Sequence, residues 1–214
     1  MVIEMLDRFI EKHGDLSACK KEIENAYQIL KNCYNNDRKV LIAGNGGSSS
    51  DAEHIVGELM KGFLLKRELK EEEKAALIKI DSEKGKYLEQ KLQGALPAIS
   101  LSCHSSLTTA ISNDVSGDMI FAQQIQGYGQ KGDVFLAIST SGNSRNVVLA
   151  AIVAKAKGMK VIGLTGVGGG ELARIVDVCI DVPSKETYEI QEYHITIYHC
   201  LCRMLEEYFF GTSS

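Results

Sequence analysis

His54 and Glu58 stand four residues apart in the segment Asp51-Ala52-Glu53-His54-Ile55-Val56-Gly57-Glu58. On a helix that spacing sets both side chains on one face, one turn above each other. An imidazole beside a carboxylate can move a proton: one group takes it and the other passes it on. The same spacing also suits a solvated surface pair, so position matters. Here the pair follows directly on Gly44-Asn45-Gly46-Gly47-Ser48-Ser49-Ser50, a run of glycines and hydroxyls after an apolar stretch. A second such run, Ser139-Thr140-Ser141-Gly142-Asn143-Ser144, follows another apolar stretch. Small residues at a strand-to-helix turn make a phosphate cradle. Glycine lets the backbone approach an anion, free N–H groups point at it, and the helix start adds partial positive charge. Two such loops predict a ligand with a phosphate at one end and polar groups at the other, a phosphorylated metabolite.

The terminal segment adds a second set. Gln191, Glu192, His194 and His199 lie among Ile195, Ile197, Leu201, Met204 and Leu205. At 3.6 residues per turn, Gln191 and His199 fall about 80° apart around a helix axis. His194 points elsewhere and is read as a core residue. A helix this apolar is buried, and polar groups within it need partners. Gln191 and His199 are therefore satisfied core groups or site residues. Asn113-Asp114, after a further strand-like region, is either a turn or a contact to ligand hydroxyls.

These residues need a scaffold. A chain of 214 residues, 44% of them hydrophobic, suits one domain with helical additions. The net charge of -4 and the mixing of acidic with basic residues leave no basic stripe, so no nucleic-acid partner is expected. No charged-then-apolar leader begins at Met1, and no apolar run nears the roughly 18 residues a membrane helix needs. A cytoplasmic protein with no membrane contact is expected. Six scattered cysteines form no C-x-x-C pair, which argues against thiolate zinc fingers and for small hydrophobes kept reduced.

Apolar periodicity predicts helices over Met1–Lys12, Leu16–Tyr34, Ser50–Phe63, Ser105–Ser112, Asp118–Tyr128, Ser144–Lys157 and Thr187–Phe210. Short apolar runs predict strands at Lys39–Ala43, Pro97–Ser102, Asp133–Ile138, Lys160–Leu164 and Asp177–Val182. Leu64–Gly94, with its run Glu68-Leu69-Lys70-Glu71-Glu72-Glu73-Lys74, reads as one or two charged surface helices: an appendage, a lid or a subunit contact. Strands alternating with helices predict an α/β fold, a doubly wound five-stranded parallel sheet of flavodoxin-like type with extra N-terminal and C-terminal helices. Ligands in such folds sit beyond the carboxyl ends of the strands, where both hydroxyl loops lie.

Taken together, six blocks resemble the sugar isomerase (SIS) domain family, and within it the phosphoheptose isomerases. They are G-N-G-G-S at Gly44–Ser48, D-A-E-H-x-x-x-E at Asp51–Glu58, N-D at Asn113-Asp114, S-T-S-G-N-S at Ser139–Ser144, L-T-G at Leu164–Gly166, and I-Q-E with a downstream histidine at Ile190–His199. The resemblance covers nearly the whole chain except roughly residues 64–94, and it implies one SIS domain over residues 1–214, with residues 1–36 as N-terminal helices and residues 64–94 as a charged insertion longer than usual. It implies an aldose–ketose isomerase that converts sedoheptulose 7-phosphate to D-glycero-D-manno-heptose 7-phosphate through an enediol. It implies Glu58 and His199 as the acid/base pair. Substrate contacts would come from Asn45, Gly46, Gly47, Ser48, Glu58, Asn113, Asp114, Ser139, Thr140, Ser141, Ser144 and Gln191. A zinc ion would be held by His54, Glu58, Gln191 and His199, in a homotetramer with sites at subunit contacts.

Eight residues of helix separate the Gln191 and His199 backbones by about 12 Å, which strains any shared metal site on one straight helix. A site shared between subunits is the expectation. Other readings within the family are an isomerase of another sugar phosphate and a non-catalytic regulator of the type that binds the replication initiator DnaA. Relatives of the regulator type lack the glutamate and the final histidine, and both are present here as Glu58 and His199. A sugar-phosphate sensor fused to a DNA-binding module would need a basic segment that this sequence lacks. Glu189 and Gly168 depart from the family pattern, which often has arginine and an acidic residue at these places. A carboxylate at Glu189 is compatible with a nearby phosphate only if it turns away.

Overall fold

The computed structural model describes residues 2–211. Five strands form one all-parallel sheet in the order β2-β1-β3-β4-β5: β1 (Val40–Ala43), β2 (Ala98–Ser100), β3 (Val134–Ser139), β4 (Lys160–Thr165) and β5 (Val178–Asp181). β1 and β3 are buried along their whole length, so each of their apolar side chains must find partners on one face or the other. The alternation of a strand divides them. Val40, Ile42, Leu136 and Ile138 face one core, and Leu41, Ala43, Phe135 and Ala137 face the other. The first core is covered by α1 (Val2–Lys12), α2 (Lys20–Asn35), α3 (Gly47–Met60) and α9 (Thr187–Phe210). The second is covered by α7 (Ile120–Tyr128) and α8 (Arg145–Ala156), where Ala150, Ala151 and Ala154 are fully buried.

This strand order puts the topological switch between β1 and β3. The loop after β1 is Gly44–Gly46 and the loop after β3 runs from Thr140 to Ser144. The two hydroxyl loops therefore flank the one crevice where a doubly wound sheet receives ligands.

Several predicted boundaries move. The Met1 end of the first helix lies outside the described residues. The second helix does not begin at Leu16: Gly14–Cys19 is a 3₁₀ stretch, and α2 starts at Lys20. α3 begins at Gly47, ahead of the expected Ser50, because Gly46 takes the left-handed φ of 56° and turns the chain straight into the helix. Ser48, Ser49 and Ser50 are thus the first turns of α3 rather than loop. α3 also stops at Met60, short of Phe63, where Lys61 becomes extended. Asn113-Asp114 is no turn; it closes α6 (Ser105–Asp114). The 64–94 segment holds two helices, α4 (Glu71–Ile80) and α5 (Ser82–Lys91), with Asp81 capping the second through the Glu83 and Lys84 amides. It is not all solvated, since Arg67 is 1% exposed.

Candidate active site

The first loop is built by close approach. A Cβ at Gly44 would strike Ser48, and one at Gly47 would strike the Gln191 amide at the start of α9. Gln191 thereby seats the terminal helix on the loop. Ser48 is buried and its amide donates to the Asn45 carbonyl at 3.0 Å.

The second loop is held from inside. The Ser139 hydroxyl donates to the Ser144 hydroxyl at 2.9 Å, and the Asn143 amide donates to Ser141 Oγ at 3.2 Å. Asn143 Oδ1 accepts from the Glu171 amide at 2.9 Å, and the Gly142 carbonyl from the Leu172 amide at 3.0 Å. Gly142 has φ 66°, and a Cβ there would meet the Gly169 carbonyl.

Asn146, which sequence reasoning did not single out, ties the start of α8, just past the second loop, to the first loop. Its side-chain amide exchanges two hydrogen bonds with that of Asn45, at 2.9 and 3.0 Å. Its place two residues past Ser144 was the only sequence signal. The crevice is therefore ringed by hydroxyls and amides, with the amino ends of α3 and α8 at its rim, which suits a phosphate.

One face of α3 packs on α9 and assembles the proton-moving groups. His54 Nε2 lies 3.3 Å from Glu58 Oε1 and 3.5 Å from His199 Nε2. His54 and His199 meet edge to face, with ring centroids 4.9 Å apart, and Phe63 covers His199 at 5.4 Å. Glu58 is buried, and its Oε2 has no hydrogen-bond partner; the Lys61 ammonium is 3.6 Å away. Burial and the neighbouring His54 lower the His199 pKa, against the pull of Glu58, so the ring stays neutral further into the acid range than an ordinary histidine.

Behind His54 stands a second group that the sequence reading passed over. The Tyr198 hydroxyl is 2.9 Å from His54 Nδ1 and 3.3 Å from Asp51 Oδ1. Burial raises the pKa of both Asp51 and Tyr198. When Tyr198 donates to Asp51, its oxygen accepts from His54 Nδ1–H. His54 Nε2 then presents a lone pair to Glu58 and His199, and a proton or cation must lie between them. Tyr198 precedes His199 in the sequence, but only the packing of α9 on α3 turns it toward His54.

The fit to zinc can be judged from these distances. Two ligands on a tetrahedral zinc lie about 3.3 Å apart, close to the separations around His54 Nε2. As the chain stands alone, no three His, Cys, Asp or Glu side chains among the described residues form a group that could hold a metal ion. Gln191 lies against Gly47 rather than beside His199. One chain thus brings together His54, Glu58 and His199 but leaves Gln191 apart.

Asn113 and Asp114 are exposed and bonded to each other at 2.8 Å, and neither hydrogen-bonds to the two loops among the described residues. His194 is fully buried and neither ring nitrogen makes a well-formed hydrogen bond, in keeping with a core role. Glu189 accepts from the Ser184 hydroxyl at 2.7 Å. Gly168, at φ 84°, donates its amide to Asp181, in a conformation that suits glycine better than an acidic residue.

The SIS domain model matches residues 6–93 and 92–166. The chain is 42% identical over 177 residues to the phosphoheptose isomerase of Aneurinibacillus thermoaerophilus, covering 83% of this chain and 76% of that one. It is 38% identical to phosphoheptose isomerase 2 of Campylobacter jejuni, over 98% of this chain and 96% of that one. Among solved structures, a phosphoheptose isomerase from Francisella tularensis superimposes with a TM-score of 0.73 at 31% identity, covering 94% of each chain. These likenesses are to isomerases, and the DnaA-binding regulator reading is not favoured. With the matched domain and this likeness over nearly the whole chain, the protein belongs to the SIS domain family and to the phosphoheptose isomerases within it.

Proposed function

We propose that this chain interconverts sedoheptulose 7-phosphate and D-glycero-D-manno-heptose 7-phosphate by moving one proton between adjacent carbons through an enediol. The observation that carries the reading is the buried Glu58 carboxylate, one oxygen of which accepts no hydrogen bond and meets only the Lys61 ammonium at 3.6 Å, set beside the His54–His199 pair. A carboxylate short of hydrogen bonds is a ready base, and Glu58 takes the proton from one carbon and returns it to its neighbour. His199, kept neutral, carries a proton between the two oxygens. Ser48, Ser139, Thr140, Ser141 and Ser144, with Gly46 and Gly47, hold the phosphate end. Asn45 and Gln191 face the sugar hydroxyls.

The described residues of one chain form no metal-holding group by themselves, so His54, Glu58, Gln191 and His199 would hold zinc only when drawn together across a subunit contact; bound there, it would stabilise the enediolate as a Lewis acid. The separation of Gln191 from His199 along α9, and the exposed Asn113 and Asp114, support a site completed by neighbouring subunits in a homotetramer. No helix among the described residues is long and apolar enough to cross a membrane. The six unpaired cysteines support a reducing, cytoplasmic setting.

The test is an NMR assay of the purified protein with sedoheptulose 7-phosphate, with and without zinc. Aldoheptose 7-phosphate should accumulate, and Glu58→Gln should lower turnover roughly 100-fold or more. Turnover that survives Glu58→Gln unchanged would remove Glu58 as the base.

A further inference from the structure

Arg67 lies in the 64–94 segment, among charged residues that face solvent, yet it is 1% exposed. Each of its three guanidinium nitrogens donates a hydrogen bond. Nη2 donates to the Glu58 carbonyl at 2.7 Å and Nη1 to the Leu59 carbonyl at 2.6 Å. Nε donates to Glu206 Oε1 at 2.8 Å, and the Phe210 ring lies against the guanidinium carbon at 4.8 Å.

Glu206 is equally occupied. Its two oxygens accept from the amides of Phe63, Leu64 and Leu65 at 2.8, 2.8 and 3.1 Å. Burial opposes its charge, but the Phe63 and Leu64 amides and Arg67 together hold its carboxyl below the usual carboxylate range.

The last carbonyls of a helix have no partner within it. At the end of α3 those carbonyls belong to Glu58 and its neighbours, and Arg67 takes two of them. The same ion pair, through Glu206, holds the amide of Phe63, whose ring covers His199. Glu206 is also on α9, seven residues beyond His199. One buried pair therefore ties the backbone of Glu58, the residue packed on His199, and the helix that carries His199. A buried ion pair adds little net stability over apolar residues of the same volume; what it supplies here is fixed geometry.

We propose that Arg67 and Glu206 are positioning residues, a clamp that sets the spacing of Glu58 and His199 for proton transfer. The proposal rests on Glu58 and His199 being the pair that moves the proton. Arg67→Lys keeps a cation beside Glu206 but cannot fork onto two carbonyls. Glu206→Gln keeps the shape but loses the charge and one acceptor.

Turnover and KM would be measured for both variants and scaled to the folded fraction from circular dichroism. Each should lose roughly 10- to 100-fold in kcat, with KM within about twofold of the parent, because the hydroxyl loops are untouched. A kcat per folded molecule within twofold of the parent, in either variant that folds, overturns the clamp, as does a loss confined to KM. If both variants unfold, Arg67→Met with Glu206→Met, which replaces the pair by apolar volume, is read the same way. Should the parent itself fail to convert sedoheptulose 7-phosphate, the isomerase assignment falls instead. The clamp is then read from the ¹⁵N shifts of the His199 ring. They move in the variants if the clamp sets its position, and unmoved shifts overturn it.

Discussion

At the scale of single residues, the site is a short line of proton-bearing groups: Asp51, Tyr198, His54, then Glu58 on one side and His199 on the other. Each link has a distinct expected failure. His199→Asn removes the shuttle and should lower kcat by about 100-fold, measured at saturating substrate. Tyr198→Phe leaves every first contact to the sugar in place but frees His54 to turn. A loss of roughly 10-fold in kcat is expected, restored by no increase in substrate. Ser141→Ala works at the other end of the ligand and should raise KM with little change in kcat. A KM effect for Tyr198→Phe, or a kcat effect for Ser141→Ala, would reverse these assignments.

At the scale of elements, glycine geometry shapes the crevice. The second loop can pack against Gly169 and Gly170, after β4, only because Gly142 is left-handed and has no Cβ to meet the Gly169 carbonyl. Gly142→Ala places a methyl against backbone that cannot move away. The left-handed conformation alone costs on the order of 1–3 kcal/mol for a residue other than glycine. A lowered melting temperature and a weakened response to added inorganic phosphate should appear together. A variant that melts with the parent and binds phosphate equally well would show that the loop relaxes freely. The Asn45–Asn146 pair acts at this scale too, since it locks α8 to the loop that opens α3.

For the whole molecule, the informative group is His194, fully buried on α9. Burial, offset only in part by the Thr165 backbone, pushes its pKa down to about 4. In the unfolded chain an ordinary histidine titrates near 6.5, so below that pH the unfolded state binds a proton that the folded state refuses. Stability is thus full above about pH 6.5 and declines as pH falls toward 4, by about 3 kcal/mol in all. Urea unfolding across that range should show the slope, and His194→Leu should flatten it. An equal slope in the variant would place the titrating group elsewhere. Light scattering on the intact protein should give four times the mass of one chain; a fully active monomer would remove the shared-site reading.

Much of this was legible in the chain. Strands of continuous apolar residues, helices of 3.6-residue period and two glycine/hydroxyl turns settle the α/β class and place both loops at the same end of the sheet. The i, i+4 spacing of His54 and Glu58 holds in α3 because a helix repeats locally whatever surrounds it. Boundaries set by one backbone angle were not legible, as at Gly46, where a single left-handed residue starts α3 early. Nor were Tyr198, Asn146, Arg67 and Glu206, whose partners lie 147, 101, 9 and 139 residues away. Arg67 reads in sequence as one more charge in a solvated run, and Glu206 as one of the acidic residues near the chain's end. Local propensity depends on neighbours within a turn or two. Which charged groups are buried, and which side chain faces His54, depends on how α9 packs across α3, and that is decided only when the tertiary structure closes.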